Sequence, residues 1–165
     1  MTVIKGLHHN AYRCKDSEET RQFYEDFLGL TLADAFPIET TITGRDTAVL
    51  HSFYELGDGS FLAFFEDPET PFEFKDQRDF DLHIALEVEH DDMMAFFEKG
   101  KAAGMETRGV SDHHFIHSIY FRDPNGYVIE LTAKTAVADD YAKKAKAEAH
   151  DTLAAWQKKK PAAVY

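Results

Sequence analysis

Two segments of the chain carry apolar residues at the spacing of an α-helix. The first is residues 17–28, with Ser17 as its predicted N-cap and Gly29 as the stop signal at its end. The second is residues 91–103, which Gly104 ends in the same way. The helical spacing is carried by Phe23, Tyr24, Phe27 and Leu28 in the first segment and by Met94, Phe97 and Lys101 in the second. Both segments are therefore predicted to be helices.

Shorter runs of apolar residues surround these two helices and predict β-strands. They are residues 3–15, 31–35, 48–56 and 60–66 around the first helix, and residues 82–88, 116–122 and 127–132 around the second. Turn signals separate some of the strands, at Gly57-Asp58-Gly59 and at Asp123-Pro124-Asn125-Gly126. The order of strand, helix and further strands occurs twice. The pattern predicts an α+β fold of two βαβββ modules that form curved mixed sheets.

A segment rich in proline and charge separates the two repeats, and an Ala/Lys-rich segment follows them. We interpret the first as a linker and the second as a helix that ends near Pro161. The predicted organisation is one domain of residues 1–135, made of module one (1–66), a linker (67–80) and module two (81–135), followed by a C-terminal helical extension (136–165).

The repeat makes four positions equivalent in pairs. Counting back from the glycine that ends each helix makes His9 equivalent to His83. Counting forward from the glycine of each turn before a last strand makes Ala63 equivalent to Glu130. In the strand around His83 the neighbours Ile84 and Leu86 point to the opposite face, so His83 faces away from the predicted helix packing. Three of the four positions thus carry a side chain that binds metal.

Two imidazoles and one carboxylate form a three-ligand metal site that leaves further positions open. This donor set is typical of non-haem Fe(II) oxygenases, although Mn, Ni, Co or Zn also bind to it. Taken singly, each of these residues is more simply a structural or surface side chain. Their equivalent places in the repeat favour the interpretation that His9, His83 and Glu130 hold one divalent ion, with Fe(II) preferred.

Composition limits the partners and the compartment of the protein. The chain has 165 residues and a formal charge of −12, and its one cluster of basic residues is Lys158, Lys159 and Lys160. A nucleic-acid surface needs clustered cations, so none is expected. A single cysteine, Cys14, permits no intrachain disulfide, and we find neither a signal peptide nor a run of about 20 apolar residues. We expect a cytoplasmic protein that does not contact a membrane.

Three stretches of the chain resemble one known superfamily. They are GLHHNAYRCKDSEETRQFYEDFLGL, LHIALEV and YFRDPNGYVIEL, within residues 4–132. They resemble the vicinal oxygen chelate superfamily, which includes glyoxalases, methylmalonyl-CoA epimerases, fosfomycin and bleomycin resistance proteins and type I extradiol dioxygenases. The resemblance implies His9, rather than His8, together with His83 and Glu130 as metal ligands. Ala63 stands where glyoxalases and epimerases have a fourth ligand.

The resemblance also implies an activity and further site residues. Extradiol dioxygenases use only the His, His, Glu triad, and a tyrosine ten residues before the glutamate contacts their substrate. Tyr120 matches that tyrosine, and His117 and His114, with His113 as a third candidate, match an upstream histidine. The implied function is a ring-cleaving dioxygenase that acts on a catechol-like substrate with O2, as a homodimer.

Two alternatives remain open at this point. A lyase or isomerase of the glyoxalase or epimerase kind would need a fourth metal donor from water, from the substrate or from another chain. A non-catalytic binding or resistance protein would need no metal, which leaves the His, His, Glu pattern without a role. The sequence does not decide whether the two modules pair within one chain or between chains.

Overall fold

The computed structural model describes residues 3–162 and divides them into eight strands and three helices. Helix α1 continues directly into a π-helical segment, Gln22–Phe27. The elements are β1 His9–Cys14, α1 Ser17–Arg21, β2 Thr31–Thr40, β3 Asp46–Glu55, β4 Phe61–Glu66, β5 Ile84–Glu87, α2 His90–Ala102, β6 Thr107–Asp112, β7 Ile116–Arg122, β8 Val128–Lys134 and α3 Ala138–Lys159.

The strands form two four-stranded sheets of the same topology. The first sheet has the order β1-β4-β3-β2 and the second has the order β5-β8-β7-β6. In each sheet the first and last strands of a module run parallel, and the remaining pairs run antiparallel. The predicted α+β fold of two βαβββ modules is confirmed.

Strand register makes the repeat visible residue by residue. In the first sheet Ala11 pairs with Ala63, and in the second sheet Ala85 pairs with Glu130. His9 and His83 each precede the first residue of these pairs by two positions, and therefore share its face of the sheet. The two histidines are equivalent, and so are Ala63 and Glu130, as the spacing predicts.

The two modules are joined by the turn between β7 and β8. The buried hydroxyl of Tyr24 donates to the Asp123 carboxylate at 3.0 Å, and the side-chain amide of Asn125 donates to the Thr20 hydroxyl at 3.3 Å. Burial raises the pKa of Asp123 above its usual value, although four donors stabilise its charged form. The turn that the sequence predicts at Asp123-Pro124-Asn125-Gly126 therefore also holds module two against the first helix.

Several local predictions differ from the structure. Asp16 rather than Ser17 caps α1, because its carboxylate accepts from the Glu19 backbone amide at 2.8 Å. The buried face of α2 contains Met93, Phe97 and Gly100, so the predicted stripe through Met94 and Lys101 is one residue out of phase. Strand β1 begins six residues later than predicted, β2 extends to Thr40, and no strand was predicted at Thr107–Asp112.

The predicted C-terminal helix is present as α3, and residues 163–165 of that extension lie outside the described residues. Its first residue, Ala138, is buried, and most of the helix beyond it is exposed. The ring of Tyr141 stacks on Phe115, with centroids 4.1 Å apart. Within residues 3–162, no helix is both long and apolar enough to cross a membrane.

Candidate metal and substrate site

One row of paired positions across the second sheet carries the residues of the candidate site. Arg108 of β6 pairs with Tyr120 of β7. Tyr120 pairs with Glu130 of β8, and Glu130 pairs with Ala85 of β5. Side chains at directly paired positions lie on the same face of a sheet. His83 precedes Ala85 by two residues, so the register brings it to this row as well.

His83 and Glu130 are in direct contact. Nε2 of His83 lies 3.2 Å from Oε2 of Glu130, and the glutamate side chain is only 7% exposed. Nδ1 of His83 lies 2.7 Å from the backbone carbonyl oxygen of Asp79. Because a carbonyl only accepts, Nδ1 carries a proton in this contact, and Nε2 faces the carboxylate. Only a proton or a cation between the two groups makes that contact favourable.

The contact between His83 and Glu130 fits a shared metal ion. Two ligand atoms at about 2.1 Å from one ion and at right angles to each other lie about 3.0 Å apart. The observed 3.2 Å between Nε2 and Oε2 is close to that separation. A neutral imidazole and a carboxylate are ligands for a divalent transition metal, and Glu130 has few exposed atoms with which to be solvated otherwise. These two residues therefore have the chemistry and spacing of two of the three predicted ligands.

Tyr120 and His113 extend the site along the same face. The Tyr120 hydroxyl donates to Oε1 of Glu130 at 3.3 Å, and Nε2 of His113 lies 3.1 Å from the same hydroxyl. Burial, followed by the nearby charge of Glu130, raises the pKa of Tyr120 above its usual value. Tyr120 thus keeps its proton through the physiological range, with an acceptor on one side and an imidazole on the other.

The other two candidate histidines lie elsewhere. His117 approaches Asp112 at 3.7 Å and packs against the ring of His90 at 5.8 Å. His114 adopts a positive φ of 74° in the turn before β7 and lies in the groove beside α3. The geometry places His113, rather than His114 or His117, beside Tyr120. The chain turns within residues 112–115, and that turn, which the sequence pattern did not resolve, decides which histidine reaches the site.

His9 lies on the first sheet, among aromatic side chains. Its ring is 5.5 Å from Phe53 and 6.3 Å from His51, and Nδ1 of His8 lies 2.8 Å from its own Nδ1. The register pairs Phe53 with Ala63, just as Tyr120 pairs with Glu130 in the second sheet. Within residues 3–162, no three His, Cys, Asp or Glu side chains are grouped so that they hold one ion. The structure therefore brings His83 and Glu130 together and leaves His9 apart from them.

The chain is similar to two curated bacterial proteins of different activity. It is 26% identical over 117 residues to MhqA of Bacillus subtilis (strain 168), which is named as a ring-cleaving dioxygenase. That match covers 70% of this chain and 35% of MhqA, so the chain spans about a third of that relative. It is 24% identical over 143 residues to the metallothiol transferase FosB of Shouchella clausii (strain KSM-K16), covering 81% of this chain and 83% of FosB.

Solved structures share the fold. The fosfomycin resistance protein FosX of Listeria monocytogenes, crystallised with Mn(II) and sulfate, superposes with a TM-score of 0.62 at 21% identity. The match covers 83% of this chain and 98% of FosX. A glyoxylase/bleomycin resistance protein/dioxygenase domain from Frankia sp. EAN1pec superposes with a TM-score of 0.66 at 17% identity, covering 81% of this chain and all of that domain.

A family model matches most of the chain. The match runs over residues 6–131, from the segment before β1 to the middle of β8. It includes both modules, the linker between them, and the positions of His9, His83, Tyr120 and Glu130. The chain belongs to the Glyoxalase/Bleomycin resistance protein/Dioxygenase superfamily.

Proposed function

We propose that the protein is a metal-dependent ring-cleaving dioxygenase of the extradiol type, acting on a catechol-like substrate and O2. The observation that carries the proposal is the contact of the Tyr120 hydroxyl with Glu130, next to His83 and with His113 behind it. Ala63 offers no fourth protein ligand, so a site of His9, His83 and Glu130 would leave positions open for both reactants. Similarity to MhqA supports the same activity.

The proposed enzyme is a homodimer whose metal site is shared between chains. Each module supplies part of one ligand set, and His9 is exposed on the first sheet instead of meeting His83 and Glu130. In a twofold-symmetric pair, module one of each copy would face module two of the other. His9 of the partner subunit would then complete the site formed by His83 and Glu130, and the dimer would hold two identical sites.

An aromatic face on module one fits a flat aromatic substrate. It consists of Phe36, His51, Phe53, Phe61 and Phe65, which surround His9 on β2, β3 and β4. Apolar walls with a few placed polar groups are typical of small-molecule sites. In the shared site this face would lie opposite Tyr120 and hold the ring by stacking and burial of its carbons.

The side chains around the ion have distinct tasks in the proposed reaction. The ion, when bound, would supply Lewis acidity and hold both reactants close together. His83 and Glu130 would hold the ion, and Tyr120 would donate a hydrogen bond to a substrate oxygen. His113 would exchange a proton with the substrate hydroxyl through Tyr120. Overall, the ring bond between one hydroxyl-bearing carbon and its neighbour without a hydroxyl breaks. O2 is reduced, and both of its oxygen atoms enter the product.

Fosfomycin-type chemistry is the second candidate, favoured by the similarity to FosB over 83% of that protein. An anionic substrate would need free cationic side chains near the ion. Of the arginines on the face of Tyr120, Arg108 is bound to Asp79 and Arg122 to Glu106. Because both are already paired with carboxylates, the described site favours a neutral or phenolic substrate over a phosphonate.

Anaerobic reconstitution with Fe(II) tests the proposal. The reconstituted protein is given a panel of catechols, with O2 uptake and absorbance followed together. Oxygen uptake matched by a yellow ring-cleavage product is the expected result. Bound metal without oxygen uptake on any catechol, together with turnover of a 2-oxoaldehyde, an acyl thioester or fosfomycin with a thiol, would replace the dioxygenase with one of the other activities.

A further inference from the structure

We propose that Arg108 is a positioning residue of the metal site, which acts on His83 through Asp79. The inference rests on the proposed metal centre, since it concerns how one of the ligands is oriented. Arg108 does not touch the ligand atoms. It reaches the side chain of Asp79, whose backbone carbonyl in turn holds the imidazole of His83.

The first of the two contacts is a bidentate ion pair between Arg108 and Asp79. Nη1 and Nη2 of Arg108 donate to the two carboxylate oxygens of Asp79, both at 2.9 Å. Two parallel hydrogen bonds fix the orientation of a carboxylate as well as its distance. Asp79 lies in a turn outside the strands, and its bonds to Arg108 tie its side chain to β6 of the second sheet. The bond to Arg108 also holds the pKa of Asp79 below its usual value, which keeps the pair charged.

The second contact is the hydrogen bond from His83 to the Asp79 backbone. The distance from Nδ1 to the carbonyl oxygen is 2.7 Å, and the bond selects the tautomer that leaves Nε2 free. Nε2 is the atom that faces Glu130 at 3.2 Å. The imidazole is 41% exposed, so packing alone does not fix its ring, and the carbonyl holds it from the side opposite Glu130. Partners of this kind behind a metal ligand usually contribute about 10- to 100-fold to metal affinity.

Arg108 also touches the other side of the site. Its guanidinium carbon lies 5.2 Å from the centre of the Tyr120 ring, the residue with which it pairs across the sheet. One side chain thus contacts both the turn that orients His83 and the tyrosine that contacts Glu130. The Arg108–Asp79 pair is partly exposed, with side-chain exposures of 42% and 34%, so it is expected to add little to global stability. Its effect is expected on the position of His83.

The same segment of chain contains a matched control. Arg78 also donates two hydrogen bonds to a carboxylate, that of Asp81, at 2.9 Å from Nε and 2.8 Å from Nη2. This second pair is exposed and has no contact with the imidazole of His83 among the described hydrogen bonds. Replacement of Arg78 therefore removes an ion pair from the same turn but leaves the bonds between Arg108 and Asp79 in place.

The test compares Arg108→Met with Arg78→Met, with Asp79→Asn as a second variant that keeps the backbone carbonyl. Two properties are measured on the full chain. Nitrogen-15 NMR of the metal-free protein gives the tautomer of His83. Titration with Mn(II), followed by the electron paramagnetic resonance signal of the free ion, gives metal affinity.

In the wild type we expect Nδ1 of His83 to carry the proton. Arg108→Met and Asp79→Asn should shift the ring towards a mixture of tautomers and weaken Mn(II) binding about tenfold. Arg78→Met should change neither property. An unchanged tautomer and an Mn(II) affinity within about twofold of the wild type in Arg108→Met would overturn the inference while leaving the metal site intact. If the wild type binds no Mn(II), the proposed metal centre is wrong. The comparison of tautomers would then still decide whether Arg108 orients His83.

Discussion

Ala63 and Glu130 occupy the same place in the two modules, and only Glu130 carries a side-chain oxygen. Each pairs with an alanine of the parallel neighbouring strand, Ala11 for Ala63 and Ala85 for Glu130. Both positions are buried, with exposures of 0% and 5%. At this position the two modules therefore differ by one carboxylate, while the pairing of the strands around it is the same. It leaves the proposed site with three protein ligands where a fourth would fit.

A carboxylate at position 63 is expected to complete a four-ligand site. Ala63→Glu places a buried charge without a partner in the metal-free protein, which should lower the free energy of unfolding by a few kcal/mol, about 2–4. Added Mn(II) should restore most of that loss. Thermal unfolding with and without Mn(II) measures both effects.

The control for this variant is Ala133→Glu. Ala133 is 2% exposed and lies on β8 three residues after Glu130, on the opposite face of the strand. A glutamate at position 133 would destabilise the core, and Mn(II) should not restore the lost stability. Equal recovery of both variants by Mn(II) would contradict the assignment of position 63 to the metal site.

Removal of a predicted ligand should remove the metal. His83→Ala is expected to lower the affinity for a divalent ion by about 100-fold or more, because one of three ligands is lost from an open site. His8→Ala should leave the affinity nearly unchanged, although Nδ1 of His8 lies 2.8 Å from Nδ1 of His9. Metal content after dialysis, measured by mass spectrometry, distinguishes the two. Full metal content in His83→Ala would show the assignment to be wrong.

The hydroxyl of Tyr120 should affect turnover even when the metal site is full. Tyr120→Phe removes the group that contacts Glu130 and is proposed to contact the substrate, so kcat at saturating metal should fall about 100-fold. Steady-state kinetics at neutral pH, with metal content measured on the same samples, are the measurement. Tyr141→Phe, on α3, is the control and should behave as the wild type.

The hydrogen bond between Tyr24 and Asp123 should give a pH-dependent contribution to stability. The folded pKa of Asp123 is raised, so its contribution to stability is fully present below the unfolded pKa of about 3.9 and is lost as pH rises through the folded value. Tyr24→Phe removes a donor that favours the charged form and raises this pKa further. The variant should lose about 1–2 kcal/mol at pH 7 and less in acid.

Tyr127→Phe is the matched control for that measurement. Its hydroxyl donates to the backbone carbonyl of Arg13 at 2.9 Å, so it also joins the two modules, but its acceptor does not titrate. Urea unfolding at several pH values should give a loss of stability that does not depend on pH for Tyr127→Phe. The same pH dependence in both variants would mean that the charge of Asp123 is not the cause.

The sequence predicts those parts of the fold and site that follow from periodicity. Spacings of 20 and 21 residues to the glycine after each helix made His9 equivalent to His83. A spacing of four residues from a turn glycine made Ala63 equivalent to Glu130, and the strand registers agree with both. The family resemblance indicated Tyr120 by its place ten residues before Glu130, and the structure pairs these two residues directly across the antiparallel strands β7 and β8.

Other features of the site have no signal in the pattern of residues. The contact of His83 with Asp79 uses a backbone carbonyl, which every residue possesses, so no residue type could indicate it. Which histidine reaches Tyr120 depends on the turn before β7, and that histidine is His113. The buried face of α2 differs by one residue from the predicted face because Gly100 packs against Phe121. The separation of His9 from His83 depends on how the modules pack, which local periodicity does not encode.

The most direct test of the shared site is a complementation experiment with two inactive variants. His9→Ala and His83→Ala are each prepared alone, then mixed, unfolded and refolded together with Fe(II). If each site takes His9 from one chain and His83 with Glu130 from the other, every mixed dimer regains one intact site. Ring-cleaving activity should then return to about one quarter of the wild-type value, because half of the dimers are mixed and each has one working site. No recovery in a mixture that forms mixed dimers would contradict a site shared between chains.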